Sequence, residues 1–72
     1  MWYYKSRIGV LRIFRKNSSY WLAINDDECG PYSSADAAAD DVYTFTTGCS
    51  DWDLLAGKCI APTDLSDWER SR

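Results

Sequence analysis

Apolar and polar positions alternate imperfectly over Trp2 to Lys16. Ile8, Val10 and Phe14 share one side with Arg12, while Leu11 and Ile13 share the other with Arg7 and Arg15. A period near two, filled by β-branched and aromatic residues, predicts a strand, and Gly9 stands where a bulge or bend could exchange its faces. Asn17-Ser18-Ser19 supplies a turn. Tyr20, Leu22 and Ile24 then alternate with Trp21, Ala23 and Asn25, a cleaner strand that ends at a second turn, Asp26-Asp27. A short third strand is expected at about Glu28 to Tyr32. Pro31 cannot donate to a ladder, which places that strand on an edge.

The pattern changes period after Ser33. Ser33 with Asp36 fits a capping box, and Ala35, Ala38, Ala39, Val42 and Phe45 recur at helical spacing until Gly48. The spacing predicts a helix from about Ser34 to Thr47, with an alanine-rich face that allows close approach to a sheet and Asp36, Asp40 and Asp41 largely on the other side. Ser50 with Asp53 and Ser66 with Glu69 repeat the capping pattern before short segments that each hold a tryptophan. The expected architecture is therefore α+β, one small domain over residues 1–72. Residues 1–33 make a three-stranded antiparallel sheet (Trp2 to Lys16, Ser19 to Asn25, Glu28 to Tyr32) and 34–48 the helix packed on it. Residues 49–72 form a tail of short helical turns that docks Trp52, Leu54, Leu55 and Trp68 on the core, with the last few residues frayed.

Composition sharpens this picture. A chain of 72 residues buries only roughly 60% of the surface that its unfolded form exposes, so its core has little to spare. Eleven Phe, Trp and Tyr residues compensate, since each ring buries on the order of 150–250 Å². The same density also permits an exposed aromatic patch suited to a partner. Charge is split: Met1 to Asn25 hold five bases and no acid, whereas Asp26 to Arg72 hold eleven acids and three bases. Either the halves neutralise each other or a basic surface is kept for a partner.

Catalytic chemistry is sparse in this sequence. Histidine, the commonest general base and metal ligand, is absent. Cys29, Cys49 and Cys59 make an odd count without zinc-site spacing, and each reads as a small buried hydrophobe. Reduced thiols with a cytoplasmic location are expected, with a disulfide between two of the three, which the spacing allows without demanding, as the alternative. The acids at Asp26-Asp27-Glu28, Asp36 and Asp40, and Asp51 and Asp53 match no calcium-loop spacing, and the glycines stand singly. No enzyme activity, cofactor or metal is expected, and the apolar runs fall far short of a membrane span. The one suggestive constellation is Arg7, Arg12, Arg15 and Lys16 interleaved with Tyr20 and Trp21 on the strands.

Trp21, the run Cys29-Gly30-Pro31-Tyr32-Ser33-Ser34-Ala35-Asp36-Ala37-Ala38-Ala39, and Tyr43 resemble the strand-to-helix passage of the ethylene-response-factor type DNA-binding domain. The resemblance runs from about Arg7 to Gly48. It implies a three-stranded antiparallel sheet crossed by one helix, with the free sheet face in a DNA major groove through dense Arg and Trp residues. Here Leu11, Ile13 and Phe14 stand among those positions. The whole chain is also similar in style to small uncharacterised bacterial domains.

From these features the expected role is that of a non-catalytic module binding a protein partner or a second copy of itself. The alternative is a nucleic-acid binder using the basic strand face, disfavoured by the net charge of −3. The helix assignment carries a direct test. Ala38→Asp would place an unpaired charge between helix and sheet at a cost of several kcal/mol, so it is expected to abolish cooperative unfolding by circular dichroism. A stable, fully folded variant would overturn the assignment.

Overall fold

The structure, a computed structural model, describes residues 1–70. It is α+β, an antiparallel sheet with one face covered by a helix, but the sheet has five strands rather than three. In chain order these are β1 (Trp2–Ser6), β2 (Gly9–Lys16), β3 (Ser19–Ile24), β4 (Asp27–Tyr32) and, near the end of the chain, β5 (Glu69–Arg70). They lie side by side as β4-β3-β2-β1-β5.

The expected long first strand is a hairpin. Ser6 pairs with Gly9, leaving Arg7 and Ile8 as its turn. The Ser6 hydroxyl organises this turn, donating to Gly9 O and accepting from Ile8 N. Gly9 has φ of +131°, and the Asn25 side chain lies where its Cβ would be. Asn25 uses that space to donate from Nδ2 to Ile8 O at 2.8 Å. Only glycine meets both demands. The second hairpin turns through Asn17 and Ser18, both at positive φ, as a tight two-residue link requires. The third turns at Asn25 and Asp26, one residue earlier than expected, with Asn25 at φ 55°. β4 is an edge strand, as Pro31 implies.

Helix α1 (Ala35–Thr44) is shorter at both ends than its pattern suggests. Ser34, not Ser33, is the N-cap, accepting from Ala37 N at 3.1 Å. The end comes at Phe45 rather than Gly48: Phe45 adopts a left-handed conformation and Thr46 N donates back to Asp41 O. Phe45 thereby stacks on Trp52, ring centroids 5.0 Å apart, and this contact outweighs continuation of the helix.

The core lies between α1 and one face of the sheet. Leu11, Ile13, Leu22 and Ile24 meet Ala38, Ala39 and Val42, with Trp52 closing one end. Each of those aliphatic side chains contributes on the order of 2 kcal/mol by leaving water, and the alanines let the helix sit close enough to bury them.

The tail docks Trp52 and Trp68 as expected, but Leu54 is 71% exposed. A second short helix, α2 (Ser50–Asp53), has Cys49 rather than Ser50 at its N-cap. Asp53 holds the preceding loop instead, accepting from Thr47 N, Thr47 Oγ1 and Gly48 N. Asp64, not Ser66, caps the 3-10 turn Leu65–Asp67. Glu69 and Arg70 are paired with β1 rather than frayed, while residues 71 and 72 lie outside the described residues.

The expectation of three reduced thiols is corrected as well. Cys29 of β4 is disulfide-bonded to Cys49, and Cys59 alone is free. The fold brings the pair together because α1 packs against β4 as well as the central strands, so the residues that follow the helix return to that strand. The bond closes a loop of 20 residues, for which chain entropy gives about 3 kcal/mol of stabilisation. Guanidinium unfolding of Cys29→Ala/Cys49→Ala beside the oxidised protein should show a loss of that size. A difference of less than about 1 kcal/mol would show that the crosslink contributes little.

Candidate functional site: the uncovered sheet face

In an antiparallel sheet, residues paired across strands point to the same side. The register therefore fixes the contents of each face. Leu11 pairs with Ile24 and Tyr4, and Ile13 with Leu22 and Trp2, which puts Trp2 and Tyr4 on the helix side. The opposite face carries one continuous row, Glu69, Tyr3, Arg12, Ala23 and Glu28, one residue from each strand. Beside this row lie the Phe14–Trp21 pair, Lys16, and the Lys5–Val10 pair. Arg12 is exposed at the centre of the row with a carboxylate at each end. Ala23 is only 2% exposed although no helix covers it, and its neighbours in register are the long side chains of Arg12 and Glu28.

Lys16 is the most constrained cation of this face. Its Nζ lies 2.7 Å from Glu28 Oε1, 4.9 Å from the Trp21 ring centroid and 5.9 Å from that of Phe14. Trp21 is fixed in turn: Nε1 donates to Lys16 O at 3.2 Å, and a Cβ on Gly30 would come within 3.2 Å of the ring. The missing side chain at Gly30 is thus a seat for Trp21. Lys16–Glu28 is the only ion pair among the described residues, and with both side chains nearly half exposed it contributes at most about 1 kcal/mol. Among the described residues no carboxylate lies within ion-pair distance of Arg12. A shallow depression of about 740 Å³, lined by Gly9, Val10, Arg12, Asn25 and Asp26, continues the face past the turns.

The candidate residues read from the sequence do not share one surface. Arg12, Lys16 and Trp21 belong to the uncovered face, whereas Arg15 pairs with Tyr20 on the helix side, and Tyr20 meets Trp2 there with centroids 6.4 Å apart. Arg7 sits at the tip of the first hairpin and donates to Lys58 O. Val10 and Phe14 were visible beside Arg12 in the strand alternation, but Tyr3 and Lys5 join them only because the first strand folds back. Gly9, which the alternation marks as a bulge or bend, was the clue available.

Among the described residues no cluster of three or more Cys, Asp or Glu side chains could hold a metal ion, and no helix is long and apolar enough to cross a membrane. Comparison with protein-family models, with curated proteins and with solved structures gave no match.

Tyr3 offers a local probe of this face. The Glu69 carboxylate paired beside it, through hydrogen bonding to the phenol and through its negative charge, raises the Tyr3 pKa above the ordinary 10.0. A raised folded-state value means that the neutral phenol is favoured in the folded protein. This stabilisation is fully present below pH 10 and is lost as pH rises through the folded-state value. Following the Tyr3 ring by NMR, we expect titration above the ordinary tyrosine range, and Glu69→Gln should return it towards that range. An unchanged midpoint in the variant would exclude the contact.

Proposed function

We propose that the chain is a non-catalytic binding module whose uncovered sheet face docks a protein partner, one presenting carboxylates beside apolar groups. The observation that carries this reading is the placement of Arg12, exposed and without an ion-pair partner among the described residues, next to the Phe14–Trp21 pair and Val10. A partner carboxylate would complete Arg12, and an apolar group would cover the rings. Anchors of this mixed aromatic and Arg kind carry most of the energy in protein interfaces. Strand spacing of about 4.8 Å over five strands, with about 20 Å along β2, gives a footprint on the order of 450 Å². That is below the ~800 Å² per partner of a stable complex and fits a transient one.

A second reading, nucleic-acid binding, is favoured by Lys16 between two rings, an arrangement that could serve phosphate and base together. It is weakened by Glu28 and Glu69 at the two margins and by Arg15 and Tyr20 on the other side. The Cys29–Cys49 bond persists best in an oxidising setting, which argues against the cytoplasmic location expected from the sequence.

Anisotropy titrations of a labelled Glu- and Tyr-rich peptide and of single- and double-stranded DNA test both readings. The peptide should bind, weaken between about 50 and 200 mM salt, and lose about tenfold with Arg12→Glu or Phe14→Ala. Tighter, salt-steep DNA binding would transfer the function to nucleic acid. Peptide affinity indifferent to Arg12→Glu would end the proposal for this face.

A further inference from the structure

The partner chemistry that the sheet face calls for is present on this chain's own opposite side. Residues 35–68 carry seven Asp and one Lys. The acids are not spread evenly: Asp36 and Asp40 of α1 and Asp64 of the tail line one groove of about 440 Å³ between the helix and Thr63–Leu65, with Ala37 and Leu65 as its apolar lining. All three carboxylates are exposed, and Tyr43, 49% exposed, continues the Asp36–Asp40 stripe along the helix. The groove thus offers carboxylates beside apolar groups, the combination that Arg12 and the Phe14–Trp21 pair lack.

Building on the binding role assigned to the sheet face, we propose that its occupant is a second copy of this chain, docked through the acidic groove beside α1, so that copies associate head to tail. Charge selects this arrangement over a symmetric one. β2 is the middle strand of five, and a two-fold pairing centred on the uncovered sheets would stack β2 on β2, setting Arg12, at the middle of that strand, against its own counterpart. Like charges facing one another across an interface oppose it. Sheet against groove instead matches opposite signs. Because the two surfaces lie on opposite sides of the domain, each docked copy leaves one of each unsatisfied, and such heterologous contacts grow into rings or open chains rather than stopping at a dimer.

Sedimentation velocity over a range of protein concentrations reads this directly. At about 50 mM salt the weight-average coefficient should rise past that of a dimer, and at about 1 M salt it should return to that of a monomer, since screening then acts within ~3 Å. Arg12→Glu/Lys16→Glu and Asp36→Lys/Asp40→Lys, checked for native circular dichroism, should each be monomeric alone. Mixed, they restore opposite signs at both contacts and should assemble. Dimers that persist in Asp36→Lys/Asp40→Lys overturn the head-to-tail arrangement. A strict monomer at low salt that still binds the labelled Glu- and Tyr-rich peptide overturns self-docking and leaves the sheet-face reading standing, whereas a monomer that binds no peptide removes both.

Discussion

The structure depends on the burial of one indole. Trp52 is fully buried, its ring stacked on Phe45 at an interplanar angle of 12° and its Nε1 donating to Val42 O at 2.9 Å. That carbonyl lies in the last turn of α1 and also accepts from Phe45 N at 3.2 Å, so the indole adds a second donor at the helix end while filling the core beneath it. A fully buried ring of this size is worth on the order of 3–5 kcal/mol, a large part of what a domain this small can hold in reserve. Thr47, Gly48 and Asp53 form the brace that positions it, and the bond from Cys49 to Cys29 secures the brace to the sheet. With that assembly on one side, the other face of the sheet is left open.

Much of this was legible in the sequence, and what was missed shares one cause. The alternation of Leu11 and Ile13 against Val10, Arg12 and Phe14 sorted β2 between core and exterior, and the alanine spacing located α1 and its buried face. The missed turn at Arg7 and Ile8 was costlier than a lost boundary. In a continuous strand Trp2 and Tyr4 would accompany Arg12, but a two-residue reversal inverts that parity, sending them to the core and bringing Tyr3 and Lys5 outward. Arg7 and Ile8 carry none of the Gly, Asn or Pro signals of a turn. Their reversal is set by the Ser6 hydroxyl and by Asn25, 16 residues beyond Gly9 in the chain, whose side chain fills the space over that glycine. The disulfide escaped for a similar reason, since it joins an edge strand to a loop whose course is decided by Trp52.

The charge asymmetry also takes its meaning from the fold. Linear halves of opposite sign become the two layers of the domain, the cationic strands in the sheet and most of the acids on α1 and the tail. Neutralisation between layers is slight, since Lys16–Glu28 is a contact within the sheet and Arg7 turns to a backbone carbonyl. The result is a domain with a marked electrical axis, its aromatic residues divided between a packed interior and the outer sheet surface. Such a body orients in the field of a neighbour before it touches it, which favours rapid encounter over lasting attachment.

The covalent ring closed by Cys29 and Cys49 encircles all of α1. A protease that nicks the backbone anywhere between those cysteines therefore releases no fragment: the piece that carries β1 to β3 and the piece that carries Trp52 stay joined through sulfur. Their recombination remains unimolecular, independent of dilution, and a molecule cut once can keep its shape where an uncrosslinked one would come apart.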